Sequence, residues 1–399
     1  MSNTILTPTA VTREALRILH QKLNFVGSIN RQYDDSFAKE GAKIGDTLKI
    51  RLPNQYTVRT GAALVAQDTT ESSVSLQVAT QKGVDMNFTS VDLTLSLQDF
   101  SQRVLDPAMS VLAANIEADA MSMYKDVNTA VWNSGSALTM ANVLAGRKIL
   151  QDALVPLDNR TANLSTQPMV DLVTDSKSLF NAQGEISKQY KEGYVGRAAG
   201  FDFMENTLWP AHTRGAANTS YTVDTRTSAL ATDGTAYSSF TISSGSGSWN
   251  VGDIFTIANV YRVHPETKNS TGVLHQFVVT EALAGTGTLK FAPEIVLGGA
   301  KQNCSISSTS ATAAITVAGT ASGSDDTSLL YHKDAFAFAT ADLVMPKGVD
   351  FAAREVMDGI SIRIVRQYDI NSDKFPCRLD VLYGYKTLRR QLATRLHNN

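Results

Sequence analysis

Six histidines, two cysteines and one short Asp/Asn-rich turn are the residues of this 399-residue chain that could do chemistry. The histidines are His20, His212, His264, His275, His332 and His397. None stands in an H-E-x-x-H or another spacing that gathers imidazoles around zinc. Cys304 and Cys377 lie far apart, which reads as two free thiols in a reducing compartment rather than a disulfide framework. In "DINSDK", Asp369, Asn371 and Asp373 occupy the first three ligand positions of a calcium loop, with Asp380 further on. Lys374 stands where such a loop needs glycine, and Asp380 replaces the bidentate glutamate. Asp and Asn also favour plain turns, so this stretch reads as a hairpin turn. In "YHKDAF", His332, Lys333 and Asp334 put a base beside a carboxylate. Adjacent residues of an extended segment point to opposite faces, so these three read as a solvated turn. There is no G-x-S-x-G elbow and no phosphate-binding loop. The expectation is a protein with no catalytic residue, no cofactor and no metal.

Bulk properties narrow the field further. Apolar residues make up 43% and charged residues 19%, and net charge is −2. That balance lacks the basic footprint of a protein that grips nucleic acid. No window holds the roughly 18 consecutive apolar residues of a membrane helix. The first residues lack a basic stretch followed by an apolar core, so export is not expected.

The elements that carry these residues follow from periodicity. Ala15, Leu16, Leu19, Leu23 and Val26 predict a helix within residues 9–33, either a docking arm or a plain core helix. Leu48, Ile50 and Leu52 alternate with Thr47, Lys49 and Arg51, and Val74, Leu76, Val78 and then Val84, Met86, Phe88 repeat that pattern. Together they predict an extended two-stranded loop that needs a partner surface. The longest helix spans about Pro107 to Val131, starting at Asp106-Pro107 or running from Ser96 with a kink. A helix capped by Thr139 and stopped by Pro156 follows, and "MVDLVTD" reads as a buried strand. From about Gly215 the chain turns rich in Ser, Thr and Gly. Six short alternating runs there predict a small antiparallel barrel or sandwich: "YTVDT", "SSFTIS", "IFTIANVYRV", "VLHQFVVT", "TLKFA" and "AAITVAG". "DAFAFATADLVMP" is strand-like, "ISIRIVRQYDINSDKFPCRLDVLYGY" is a long hairpin, and "KTLRRQLATRLHNN" reads as a terminal helix. Its Lys386, Arg389, Arg390 and Arg395 form a basic cluster, read as a solvated helix face or a weak contact with nucleic acid or an acidic partner.

Five stretches in this order resemble one family. They are "GDTLKIRLPNQYTVRTGAAL", "DFSQRVLDPAMSVLAANIEAD", "VGRAAGFDFMENTLWPAHTRG", "VGDIFTIANVYRVHPETKNSTGVLHQFVV" and "RIVRQYDINSDKFPCRLDVLYGYKTLR". The chain resembles the major capsid proteins of tailed bacteriophages, of the short-tailed (podovirus) type with an inserted β-barrel. The resemblance implies an α+β, Hong Kong 97-like fold: an N-terminal arm (1–39), an extended β loop (40–90) and a peripheral domain with a spine helix (91–132). An apical domain (133–214), an inserted antiparallel β-barrel domain (215–328), a return through the apical domain (329–350) and a peripheral hairpin with C-terminal helix (351–399) complete it. It implies self-assembly, with a scaffolding protein, into hexamers and pentamers of an icosahedral shell around double-stranded DNA. It also implies a portal protein as partner, weak nonspecific DNA contact, no membrane, assembly in the host cytoplasm and residence in the virion. Some relatives crosslink their loops; Lys82 lies near this loop, and nothing beside it marks a crosslinker. Lys49, Arg51 and Arg59 on the loop, and Glu266 and Lys268 in "HPETKNST", are the expected intersubunit contacts. A different reading is a carbohydrate-binding or tail-associated adhesin, with Trp249 and Tyr261 as sugar platforms.

Overall fold

The computed structural model describes residues 8–33, 46–64, 66–67, 71–88, 104–133, 135–175, 196–218, 220–223, 236–307, 313–357, 360–370 and 374–398. The chain divides into two compact units.

The first unit comprises 1–51, 73–121 and 336–388. Its sheet runs Asn30–Tyr33, Phe336–Ala341, Phe375–Thr387, Ile360–Arg366, Phe351–Met357, and Thr80–Phe88 also pairs with Phe375–Thr387. The predicted long hairpin is Ile360–Arg366 against Phe375–Thr387. The helix expected within 9–33 is shorter: it spans Pro8–Lys22, followed by a short helix Phe25–Ser28 and the strand Asn30–Tyr33. Val11, Ala15, Leu16, Ile18 and Leu19 are buried, and the helix packs on strands Phe351–Met357 and Ile360–Arg366 and on helix Asp106–Met121. That last helix begins at the Asp106-Pro107 signal; Ser96, the other proposed start, lies outside the described residues. It ends at Met121, ten residues before the expected Val131. Sixteen residues span about 24 Å at about 1.5 Å per residue. The β-branched Val127, Thr129 and Val131 beyond it favour extended backbone, and Ala130–Trp132 is a strand.

The predicted ribbon is Asp46–Arg51 paired with Ser73–Val78. It does not lack a partner surface. Leu76 and Val78 are fully buried with Ala337, Ala339, Ala341 and Leu382 of the unit's own sheet, and Leu48 and Ile50 pack against that cluster. Gly384 permits the close approach: a Cβ there would collide with the Gln77 carbonyl oxygen.

Acids bind this unit internally. Glu117, buried in the long helix, accepts hydrogen bonds from the backbone N–H of Phe25 (3.0 Å) and Val26 (3.2 Å). Its burial pushes the carboxyl up to about 7, against the pull of those donors. Asp119 holds Lys82 Nζ at 2.7 Å and accepts from the Tyr383 hydroxyl at 2.5 Å.

The second unit comprises 52–72, 122–335 and 389–399. One sheet runs Ala130–Trp132, Ala393–Asn398, Ser324–His332, Arg160–Leu164, Phe201–Glu205, Arg197–Ala198, with His212–Thr213 also on Ser324–His332. Two expectations are overturned here. "MVDLVTD" belongs to a helix, Thr166–Asp175, and the buried strand lies just before it at Arg160–Leu164. The C-terminal segment is not a helix but a single 3-10 turn, Arg390–Leu392, and a strand, Ala393–Asn398. Leu388, Leu392 and Leu396 imitate a helical stripe. The strand is buried on both faces, between an antiparallel and a parallel neighbour, so it shows no alternation. Arg395 is therefore buried, not on a solvated face, with its guanidinium 5.8 Å from the Tyr124 ring.

All six predicted Ser/Thr-rich runs are strands. In order around the ring, Ile254–Val263, Ser270–Val279, Gly287–Val296, Ala236–Ser243, Thr222–Val223 and Ala313–Val317 pair antiparallel and return to Ile254–Val263. They form a closed six-stranded barrel. Closure removes the exposed edges that short strands would otherwise present. Phe255 sits centrally, with Trp249, Phe277 and Phe240 ring centroids 5.7, 5.6 and 6.2 Å away. The chain enters and leaves the barrel side by side: Thr213 pairs with Ser324 and His212 with Asp325. The Arg214 guanidinium donates to the carbonyls of Gly319 and Ala217 across the same stem.

Candidate functional site

The sequence nominated charges; the structure assigns each a setting. On the ribbon the pleat turns Leu48 and Ile50 inward, so Thr47, Lys49 and Arg51 face out and are exposed. Lys49 makes no ion pair among the described residues. Beyond Arg51 the chain forms a loop that closes on itself. Thr57 N–H donates to Gln67 Oε1 at 2.9 Å, and Gln67 Nε2 donates to the Thr57 carbonyl at 2.6 Å. Arg59 is exposed and donates to the Gly61 carbonyl.

Glu266 and Lys268 lie in the turn joining Ile254–Val263 to Ser270–Val279. His264 organises it: its Nδ1 accepts from the N–H of Glu266 (3.3 Å) and of Thr267 (3.2 Å). Lys268 adopts φ +58° to close the turn. Its Nζ donates to the Gln302 carbonyl at 3.3 Å, and partial burial lowers its pKa. Glu266 is exposed.

Charge-based reasoning missed the exposed apolar residues. On the loop, Tyr56, Val58 and Leu64 are 57, 95 and 87% exposed. On the hairpin turn of the first unit, Ile370 is 80% exposed. Val58 follows Tyr56 with a polar residue between, as in a strand, and the absence of a partner run nearby was the available signal. Such residues on one loop mark a contact surface.

Among the described residues the nominated groups form no catalytic arrangement. Asp380 is fully buried and engaged by Arg363 (2.6 Å) and Arg378 (2.7 Å), so it is no calcium ligand. Asp369 bridges to Lys374 as a turn does; Asn371 and Asp373 lie outside the described residues. His332 Nδ1 accepts from the Asp334 N–H at 3.2 Å in a turn, but the solvated reading fails for His332, which is buried at the end of the strand Ser324–His332. Among the described residues no group of three or more His, Cys, Asp or Glu could hold a metal ion. Both cysteines are buried free thiols. No helix among the described residues is long and apolar enough to cross a membrane.

Comparison with known proteins decides the identity. The family described as P22 coat protein, gene protein 5, matches residues 26–394. The chain belongs to the P22 coat protein family. It is a phage major capsid protein, a subunit of the shell and part of the virion, and not an enzyme. This coat protein has no match among curated proteins. A solved structure from Mycobacterium phage Che8 is similar at 13% identity, over 94% of this chain and 90% of the other, with TM-score 0.47. A chain of the satellite phage P4 procapsid, whose structure includes the size determination protein, is similar at 8% identity over 97% and 91%, with TM-score 0.42. The asymmetric unit of the bacteriophage PhiM1 mature capsid gives 10% identity over 94% and 87%, with TM-score 0.41. The adhesin reading falls with the family assignment. Trp249 is fully buried in the barrel core, where no sugar reaches it.

Proposed function

We propose that this coat protein builds its shell through the outward loop and the barrel turn, on a Hong Kong 97-like plan. In this reading residues 1–39 are an arm, 40–90 the extended loop, 91–132 and 351–399 the peripheral domain, 133–214 and 329–350 the apical domain, and 215–328 the inserted barrel. Hexamers and pentamers form in the host cytoplasm with a scaffolding protein, incorporate a portal protein, and bound double-stranded DNA through weak nonspecific contacts. Family membership supports the shell, and the paired stem at His212–Thr213 supports an inserted barrel. The observation that carries the assembly reading is the exposure of Val58 and Leu64 on a self-closed loop. Apolar side chains so presented gain free energy when a neighbour covers them, about 25 cal/mol per Å2 buried.

Lys49, Arg51 and Arg59 meet acids of the adjacent copy, fixing register more than affinity. Glu266 and Lys268 serve the second contact; Lys268 reaches a neighbour by releasing the Gln302 carbonyl.

The test is Val58→Asp with Leu64→Asp, co-expressed with the neighbouring assembly genes and viewed by electron microscopy. Wild type is expected to give closed shells and the variant folded, soluble chains without shells. Shells of normal yield from the variant would remove the loop from the assembly contact.

A further inference from the structure

The barrel-bearing unit contains a half-open cavity of about 780 Å3. That volume lies within the roughly 300–1,000 Å3 typical of binding pockets. Its lining is strongly unbalanced in charge. Arg262, Lys268, Lys301, Arg389 and Arg390 face it, against Asp152 and Glu266.

Part of that charge is already used. Arg262 Nη2 holds Asp152 at 2.7 Å, and Lys268 donates to the Gln302 carbonyl. Lys301 and Arg389 make no ion pair among the described residues. Arg390 Nη1 is buried with no acceptor among them, and Nδ1 of the buried His275, also in the lining, has no hydrogen-bond partner among them. A buried guanidinium nitrogen without an acceptor costs desolvation that an incoming anion recovers.

Part of the lining is different in kind. Tyr56 and Val58 of the loop belong to it and are largely exposed. A bare phosphate would leave these apolar surfaces in water. A peptide carrying carboxylates and apolar side chains would cover them. The chain has net charge −2 and the lining carries +3, so the rest of the chain carries −5. A second copy therefore brings a surplus of carboxylates from which such a segment can be drawn.

We propose that this cavity is a socket for a carboxylate-bearing segment of a second copy of the chain. The socket rests on the capsid reading and adds to it a basic part of the lining at Lys301, Arg389 and Arg390 beside the exposed apolar surface of Tyr56 and Val58. The basic lining selects acidic residues, and the apolar lining selects a polypeptide over a small anion.

The first test uses wild-type shells assembled from a mixture of 15N-labelled and unlabelled chains. Zero-length carbodiimide coupling should give heavy–light peptide pairs joining Lys301 to an Asp or Glu of another copy. Finding Lys301 coupled within its own chain alone, while other lysines give heavy–light pairs, overturns the socket. The second test is Lys301→Glu with Arg389→Glu in the full chain. Shell yield should fall at least about tenfold, as like charges meet across the contact, while the unfolding midpoint of the unassembled chain is unchanged. Wild-type yield from this variant overturns the socket and leaves the capsid reading intact. Pyrophosphate bound by the wild-type chain and lost in the variant, with assembly unchanged, would make the cavity a small-anion site instead. Absence of shells from the wild type would strike the capsid reading itself, and the socket with it.

Discussion

The two units bury polar groups of opposite kind. In the first, the buried charges are acids and each has donors: Glu117 has two backbone N–H groups, Asp380 has two guanidiniums, and Asp342 has the Ser361 hydroxyl and the Arg354 guanidinium. In the second, they are mainly bases: Arg160 and Arg214 donate to backbone carbonyls and His212 lies against Asp253, whereas two others are held by packing alone. Arg395 and His397 are fully buried with no acceptor or donor for their side-chain nitrogens among the described residues. His397 stacks on Trp132 at 3.9 Å and His275 on Phe277 at 4.7 Å. The first unit is held by satisfied polar contacts over a sheet. The second depends on aromatic packing that tolerates unsatisfied bases. Damage to packing and changes in pH should therefore separate the two.

The largest separation comes from the barrel core. Trp249 is fully buried against Tyr221 and Phe255, with ring centroids 5.1 and 5.7 Å away. Trp249→Ala should cost about 3–5 kcal/mol, the usual range for deleting a buried aromatic ring. Calorimetry of the full chain should show one transition lowered by many degrees and the other nearly unmoved. If both fall together, the units unfold as one and the comparison fails.

Protonation should move the two units in opposite directions. Glu117 has its carboxyl raised from 4.5 to about 7 by burial. Between those values the unfolded chain has released a proton that the folded chain keeps, so first-unit stability falls as pH rises and levels off above pH 7. The full loss is about 3 kcal/mol. His275 is lowered from 6.5 to about 4 by burial, with the Arg262 charge adding to it. Below pH 6.5 the unfolded chain takes up a proton that the folded chain refuses, so second-unit stability falls as pH drops from 6.5 to 4, again by about 3 kcal/mol. His397 is lowered by burial and by the nearby Arg395 and His212, so it acts in the same direction. Scanning calorimetry at pH 5 and pH 7.5 should show one transition rising as the other falls. Glu117→Gln should flatten the first, and His275→Leu should reduce the slope of the second while leaving the part due to His397. Parallel shifts would break the assignment of buried charge to unit.

The same contrast explains what the sequence revealed. The barrel was legible strand by strand because one face of each strand is core and the other is wet, so residues such as Phe255 and Ile257 alternate with Thr256. The Thr139 cap was legible because the capping bond is local: its Oγ1 accepts from Asn142 N–H at 3.4 Å. The strand Ala393–Asn398 was not, because both faces are buried and the leucines leading to it are four apart. The cover over Leu76 and Val78 was hidden for a different reason: it comes from residues 337–341 and 382, far along the chain. Charges at Lys49 and Glu266 could be nominated from the sequence, yet the exposure of Val58 and Leu64 depends on what the loop does not touch.

The smallest expected effects concern those nominated charges. Lys49 and Glu266 are exposed on different units. Replacing either by alanine removes no buried contact, so stability of the unassembled chain should change by less than about 0.5 kcal/mol. The shell responds differently, because each lost contact is repeated in every copy. Lys49→Ala and Glu266→Ala should each raise the concentration at which shells appear, and raised salt should shrink the difference from wild type, since exposed pairs are screened over about 8–10 Å. Light scattering across protein and salt concentration measures both. A defect that persists at high salt would mean the side chain acts by packing rather than by charge. A defect in one variant alone would identify which unit carries the electrostatic contact.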